Sequence, residues 1–383
     1  MADDSRRVSF TGAPPQRRDS RIDLLRGFAL LTIFIDHVPD NPLNLLTMRN
    51  FGFSDAAELF VILAGVSSMI AYGKGFEREG ARSGVRRVLM RCLRLWFFQV
   101  GLLLTTLAIV HVWRENFGLE PVHLAPFYEQ PVTAIAHALA LRALPASLNI
   151  LPLYIVLLAA FPLLYAGMRY APAPTLAASG GMWLVANLDH GFNLTNWLDG
   201  RGWFFNPFAW QFLFALGMLG AAMLRKGRGE LPRHRLLVVG SWSYLALSLL
   251  LAAPWAAWGV SDFHLLTFAP PDKTALSPVR LLDILALMYL ALSSVSLRRV
   301  AEHDWARPVV ACGKHSLEVF SFATLVSLMF RLLFHSFGPL WPLQVAVNVV
   351  GLGAMLALGF WLEQQRGRPV LRGAPAAVAD ATT

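Results

Sequence analysis

The first apolar segment of the chain contains ionisable side chains whose types and spacing could support proton transfer. It reads RIDLLRGFALLTIFIDHVPDNP and places Arg26 eleven residues before His37. Eleven residues of α-helix turn through about 1100° and rise about 16 Å, so these two side chains share one helical face. His37 can exchange a proton near neutral pH, and ionisable groups inside apolar segments are functional candidates, so His37 and the adjacent Asp36 are candidate catalytic residues. The alternative is a structural Asp–His pair that ends a short helix before Pro39.

Two carboxylates begin the second apolar segment, after a loop that reads NLLTMRNFGFS. Asp55 near a helix N-terminus satisfies free backbone amides, which is a structural role. Glu58 lies one turn further on the same face, where a carboxylate needs a partner such as Arg49, His37 or a substrate hydroxyl. Glu58 and Asp55 are therefore further catalytic candidates, and one of them is expected to fix the tautomer of His37. The loop residues Arg49 and Asn50 are candidate substrate contacts.

The third apolar segment begins VRRVLMRCLRLW, with four arginines in this run. Arg87 and Arg91 form an R-x-x-x-R pair on one helical face, with Arg94 close by. Guanidinium groups suit phosphates, so a polyphosphate ligand at this end of the segment is one interpretation, with Arg26 added from the first segment. The other interpretation is that these residues only orient the helix in the membrane.

Aromatic and amide side chains are concentrated in the segment GRGWFFNPFAWQFLF, at residues 200–214. An aromatic belt at the membrane surface explains any single tryptophan there. The combination with amides would also suit a saccharide, whose apolar ring faces stack on aromatic rings. The candidate substrate-binding residues in this segment are Trp203, Asn206, Trp210 and Gln211.

A weaker polar cluster opens a later apolar segment, GKHSLEVF, where Lys314, His315 and Glu318 stand together. Snorkelling of the lysine explains much of this pattern. The sequence contains no P-loop, H-E-x-x-H motif, Cys/His metal spacing or G-x-S-x-G elbow. We therefore expect no bound metal, and ATP hydrolysis, zinc chemistry and serine hydrolysis receive no support.

The elements that must position these residues are membrane-spanning helices. The chain of 383 residues is 56% hydrophobic and 15% charged, with a mean hydropathy of +0.50, whereas soluble domains are about 45–50% apolar and about 25% charged. This composition predicts an all-α integral membrane protein of about ten spans in one domain at residues 21–366. A segment at 131–144 is too short to span. The predicted spans are 22–38, 54–73, 88–112, 150–168, 173–188, 206–224, 236–258, 279–297, 309–334 and 341–362.

Basic residues alternate along the chain in a way that predicts its orientation. The net charge is +9, and most Lys and Arg residues fall in the N-terminal, C-terminal and alternate connecting segments, which are therefore predicted to be cytosolic. The arginines flank spans, so a nucleic-acid partner is not needed to explain the charge. Residues 1–20 and 367–383 lack apolar periodicity and are predicted to be disordered cytoplasmic tails. The predicted outer basic residues are Arg49, Arg114, Arg142, Arg201, Lys273 and Arg280.

The sequence resembles a known family in several of these segments. The matching runs are RIDLLRGFALL, DHVPDNP, NFGFSDAAELFVILAG, GWFFNPFAWQFLFALG, DKTALSPVR and GKHSLEVF. They resemble OpgC, a family linked to succinylation of osmoregulated periplasmic glucans at the inner membrane of Gram-negative bacteria. More distantly, the L-R-G to His spacing and the R-x-x-x-R pair resemble acyltransferase-3 proteins. That resemblance implies a catalytic role for His37 and donor binding by Arg26, Arg87 and Arg91.

The resemblance implies an O-acyltransferase that uses cytosolic acyl-CoA, with succinyl-CoA as the implied donor and a periplasmic glucan as the acceptor. The rise from Arg26 to His37 is comparable to an extended pantetheine arm, which agrees with this function. The alternatives are a transporter or flippase for a polar or glycan-linked solute, with the ionisable residues as a proton relay, and a membrane sensor, which the tails do not favour. The sequence leaves the acyl group, the acceptor, direct transfer against an acyl-enzyme, and the oligomeric state open.

Overall fold

The computed structural model describes residues 19–117, 124–227, 229–260, 271–338 and 340–367. These residues form helices, with one isolated bridge between Thr195 and Gly202 and no longer strand among them. The predicted disordered tails lie almost entirely outside this part of the chain. The helices are α1 Ser20–His37, α2 Ala56–Arg78, α3 Gly80–Phe117, α4 Ala125–Glu129, α5 Pro131–Leu139, α6 Ile150–Tyr170, α7 Pro172–Leu188, α8 Pro207–Lys226, α9 Arg235–Ala252, α10 Pro278–Ser293, α11 Val295–Glu302, α12 Arg307–Lys314, α13 Ser316–Phe337 and α14 Trp341–Gly367.

Seven helices in the described ranges are long and apolar enough to cross a membrane, and α10 with α11 forms an eighth if that pair, bent by 72°, counts as one span. A multi-pass helical membrane protein is therefore confirmed, whereas the count of about ten and the cytosolic termini remain predictions. Each predicted span nevertheless overlaps a helix, and the eighth and ninth each overlap two. Two of these helices do not meet the length and charge requirements of a span. Helix α1 contains four charged residues, Arg21, Asp23, Arg26 and Asp36, and α7 has only 17 residues.

Helix α2 packs against α8 through a pair of glycines. A Cβ atom on Gly65 would lie 2.1 Å from the carbonyl oxygen of Phe214, and one on Gly217 would lie 2.2 Å from that of Ile62. Small residues let helix backbones approach this closely, and close approach is the main source of packing energy between helices in lipid. The two helices are thereby fixed to each other, and α2 presents its remaining faces to α1 and α3.

The predicted ninth span, 309–334, is broken rather than continuous. Helix α12 ends at Lys314, and α13 begins at Ser316. Both polar groups at the break bind Glu363 of α14, at 2.5 Å from Lys314 Nζ and 3.2 Å from His315 Nε2. The Lys314 ammonium is therefore paired in the protein, and snorkelling is not needed to explain it. The short α5 lies within 131–144, as the prediction of a non-spanning segment requires.

Candidate active site

A cavity of about 490 Å³ opens at the end of the molecule that the charge pattern predicts to be cytosolic. We call it the inner cavity. Its walls come from α1, α2, α3, α6, α8 and α13, so it lies at the centre of the helix bundle. Its lining includes four cations, Arg26, Lys74, Arg91 and Arg225, and two acids, Asp19 and Asp23, so the cations are in excess. A concave site of this size with several convergent cations suits a small anionic ligand.

The inner cavity separates the predicted phosphate-binding arginines into two groups. Arg26 and Arg91 line it. Arg87 instead pairs with Glu79, and Arg94 Nη2 lies 2.7 Å from Glu318 Oε1. The last two arginine side chains are about half exposed, at 50% and 51%, and neither belongs to the lining of this cavity. The structure therefore brings together only part of the predicted donor-binding set.

Two of the cavity cations were missed by sequence reasoning. Lys74 ends the second span, and Arg225 ends α8, where both read as signals of membrane orientation. In the structure Arg225 Nη1 lies 3.4 Å from Glu77 Oε1 while the residue lines the inner cavity. The sequence does not distinguish a basic residue that faces a cavity from one that faces the membrane surface, because the difference depends on how the helices pack.

Arg26 is held between α1 and α2. Its Nη2 donates to the carbonyl oxygen of Leu63 at 3.2 Å and to the hydroxyl of Ser67, and its Nη1 lies 4.0 Å from Asp23 Oδ1. A guanidinium fixed by several partners loses little conformational freedom when a ligand binds. Arg26 is thus a positioned cation inside the bundle rather than a mobile one at the membrane surface.

The inner cavity extends deep into the bundle. Its lining on α2 runs from Lys74 to Phe60, which is about 21 Å at 1.5 Å per residue. At its deep end the rings of Phe60 and Phe320 lie 6.5 Å apart. His37 is not part of this lining within the described residues, because it stands at the other end of α1. The depth is greater than the rise of about 16 Å from Arg26 to His37 along α1.

His37 ends α1 with an exposed imidazole ring. Its Nδ1 lies 2.7 Å from the carbonyl oxygen of Ile33. A carbonyl oxygen can only accept, so Nδ1 carries the proton in this hydrogen bond and Nε2 of the neutral ring keeps a free lone pair. That arrangement is the one a general base needs. The group that fixes the tautomer is therefore the Ile33 carbonyl, whereas the sequence favoured Glu58 or Asp55.

Asp36 and the loop after α1 form a connected set. Asp36 Oδ1 accepts a hydrogen bond from the Thr47 hydroxyl at 2.7 Å. Asn50 Nδ2 donates to the carbonyl oxygen of Asn44 at 2.6 Å, which folds the loop on itself. Arg49 is exposed on the same loop. Asp36 thus anchors the loop, and Arg49 remains a substrate-contact candidate near Asp36.

Asp55 and Glu58 belong to a partly buried cluster of opposite charges with Lys273 and Arg280, which we call the outer ion-pair cluster. Arg280 Nε lies 2.7 Å from Glu58 Oε1, and Arg280 Nη2 lies 3.1 Å from Asp55 Oδ2. Lys273 Nζ also bonds to Asp55. Glu58 has no exposed surface. The cluster contains two acids and two bases, so its charges balance.

The same two carboxylates cap α2. Asp55 accepts from the Ala57 amide at 2.8 Å, and Glu58 Oε2 accepts from the Asp55 amide at 2.9 Å, which together form a capping box. Both hydrogen bonds that Glu58 accepts, from Arg280 and from the Asp55 amide, stabilise the fold. This placement favours a structural role for Glu58 and Asp55. A catalytic role for either residue remains a prediction.

The predicted saccharide-binding residues are mostly interior. Trp203 is 4% exposed, Asn206 1% and Trp210 0%. Trp210 Nε1 donates to the carbonyl oxygens of Lys273 and Thr274, and Gln211 Nε2 donates to the carbonyl oxygen of Ser179 at 2.8 Å. Asn206 caps α8 by accepting from the Phe208 amide at 3.0 Å. These side chains pack inside the protein and bind backbone groups there, so an aromatic belt at the membrane surface does not explain them.

Lys273 is the charged residue that these side chains position, since Trp210 binds its carbonyl oxygen. Its ammonium lies 5.9 Å from the ring centre of Phe204 and 5.7 Å from that of Phe205, besides its bond to Asp55. Lys273 and Asp55 also lie close enough to the His37 ring to act on it electrostatically. The structure thereby brings the end of α1, the start of α2 and the loop before α10 into one outer site.

The burial of Trp203 supports a testable prediction. We expect Trp203→Ala to destabilise the protein by about 3–5 kcal/mol, as other large-to-alanine core changes do. We also expect it to lower kcat/KM equally for the donor and for the acceptor. The check is thermal unfolding in detergent together with steady-state kinetics for both substrates. A rise in KM for the saccharide alone, with unchanged stability, would instead place the indole in the binding surface.

The fold and these two sites define an integral membrane protein with a cation-lined cavity at one end and an exposed imidazole at the other. The family described as OpgC protein matches residues 18–367, and the chain therefore belongs to the OpgC family. Membership implies a membrane transferase that modifies a glucan. No curated protein shows a significant match to this chain.

Proposed function

We propose that this protein transfers an acyl group from cytosolic acyl-CoA to hydroxyls of a periplasmic glucan, across a bacterial inner membrane. The observation that carries the proposal is the inner cavity. It extends from its four lining cations toward the end of the bundle where His37 lies. Family membership supports the transferase class and the glucan. Succinyl-CoA is the donor that the resemblance implies.

The cations of the inner cavity suit the phosphates of coenzyme A. Arg26 and Arg91 are the predicted members of that set, and Lys74 and Arg225 complete it. Charge-assisted hydrogen bonds to phosphate are stronger than neutral ones. The pantetheine arm would follow the apolar deep part of the cavity, past Phe60, and present its thioester toward the outer site.

The transfer step uses His37 as a general base. A glucan hydroxyl attacks the thioester carbonyl carbon while Nε2 of His37 accepts the hydroxyl proton. The new C–O ester bond forms, the C–S bond breaks, and the CoA thiolate takes the proton back from the imidazolium. The Ile33 carbonyl keeps the ring in the tautomer that can accept this proton, because it binds the Nδ1 hydrogen.

Acyl transfer is tested with purified protein in detergent, supplied with succinyl-CoA and an unsubstituted glucan. We expect free CoA and succinyl ester on the glucan to appear in equal amounts, and little CoA without glucan. Reconstituted vesicles give the transporter comparison. Movement of labelled solute unchanged, without release of CoA, would contradict the transferase and favour the transporter.

The donor site makes a prediction that distinguishes neighbouring arginines on α3. Arg91→Ala should raise the Kd for acyl-CoA on the order of 10-fold, the effect of losing one hydrogen bond to a charged group. Arg87→Ala and Arg94→Ala serve as matched controls, because their side chains are exposed and paired outside the cavity. Calorimetric titration with acyl-CoA measures all three. Equal weakening by Arg87→Ala would move the donor site to the exposed face of α3.

A further inference from the structure

Arg331 is a cation in the outer half of α13, a helix that otherwise qualifies as an apolar span. Its Nη2 donates to the carbonyl oxygen of His37 over a long 3.4 Å. Among the described residues no carboxylate lies within 4.0 Å of its guanidinium, although the side chain is partly buried. A cation at this depth is costly, and such residues generally meet a partner or line a pathway.

The neighbouring cations differ from Arg331 in this respect. Lys273 and Arg280 bind the carboxylates of the outer ion-pair cluster. The balance of charge inside the outer cluster leaves it no acid to share with Arg331. Lys273 and Arg280 are thus neutralised inside the protein, whereas the guanidinium beside the His37 carbonyl has no carboxylate partner among the described residues.

The geometry of this guanidinium selects the ligand class. A guanidinium carries five N–H donors, and its planar fork matches the two oxygens of a carboxylate. One of these donors is directed at the His37 carbonyl. Arg331 also lies close enough to the His37 ring to act on it electrostatically. An anion bound there would be next to the proposed general base.

We propose that Arg331 binds the free carboxylate of a dicarboxylic acyl group and so selects the acyl donor. The inference rests on the proposed acyl transfer and adds the residue that distinguishes a charged acyl chain from an uncharged one of equal length. The reacting carbonyl of a four-carbon diacid is separated from its carboxylate by two methylenes. Adjacent side chains, His37 for the hydroxyl and Arg331 for the carboxylate, can therefore serve both ends of one acyl group.

The test compares succinyl-CoA with butyryl-CoA, which has the same carbon number and no carboxylate. With a neutral glucan as acceptor, Arg331→Gln should lower kcat/KM for succinyl-CoA on the order of 100-fold, the loss of a charge-assisted pair, and leave butyryl-CoA within about twofold. Arg331→Lys keeps the charge but loses the fork, so partial recovery is expected. Arg201→Gln is the control, because Arg201 is an exposed outer arginine.

Several outcomes would overturn this inference without touching the proposed function. One is a wild-type protein that succinylates glucan while Arg331→Gln keeps the same donor preference. Another is a loss that occurs only with an anionically substituted glucan, which would assign the guanidinium to the acceptor. If Arg331→Gln is not monodisperse, Arg331→Lys decides, and an unchanged donor ratio there contradicts the inference. Wild-type protein that transfers neither acyl group would instead refute acyl transfer itself.

Discussion

Replacement of His37 by alanine is expected to lower acyl transfer by about 10²–10⁴-fold, the usual contribution of general acid–base catalysis. The donor should still bind with wild-type affinity, because the cations of the inner cavity lie at the other end of α1. Insertion should also be normal, since the ring is exposed and its hydrogen bond is local to α1. Single-turnover CoA release and acyl-CoA titration on monodisperse protein measure the two effects separately.

His335→Ala is the matched control for this experiment. His335 is an exposed histidine in the last turn of α13, the helix that carries Arg331. We expect its removal to leave turnover within about twofold. Near-wild-type turnover of purified His37→Ala would remove His37 as the base. Poor expression with intact activity per folded molecule would instead support the structural Asp–His pair at the helix end.

The positions of the helices followed from the sequence because lipid leaves the chain few alternatives. Backbone groups in the membrane core must be hydrogen-bonded within the chain, so long apolar segments become helices. The break at His315 did not follow from hydropathy, because it depends on Glu363, which is 48 residues away. Charges within α1 lower its hydropathy, yet its apolar residues still predict a span at 22–38. Hydropathy therefore located the helices, whereas the number of spans stays a prediction.

The candidate site was predictable where its residues share one helix. The spacing of Arg26 and His37 along α1 placed a cation in the inner cavity and an imidazole at the other end. The partners of Glu58 were not predictable, since Arg280 is 222 residues away. A local signal did exist, because Asp55 and Glu58 have the D-x-x-E spacing of a capping box before an apolar run. That spacing already favoured structure over catalysis.

Loss of Arg280 should be the most destabilising single change in the outer ion-pair cluster. Arg280→Met leaves Glu58 charged, buried and without its cation, which typically costs about 3–5 kcal/mol. Addition of Glu58→Gln should recover most of this loss, because glutamine removes the buried charge and can still accept from the Asp55 amide. Asp55 keeps Lys273 in both variants. Unfolding in detergent, followed for each single variant and the pair, measures the coupling.

The same pair of substitutions decides whether Glu58 has a chemical role. If Glu58 acts only as a cap and an ion-pair partner, the double variant should regain stability and acyl transfer together, since the His37–Ile33 hydrogen bond lies outside the changed residues. Arg307→Met is the control, because the Arg307–Asp304 pair is largely exposed and is expected to contribute under about 1 kcal/mol. A double variant that folds as stably as wild type but transfers no acyl group would make Glu58 part of the chemistry. Recovery of both properties would leave His37 as the base and the cluster as the structure that holds the start of α2 beside it.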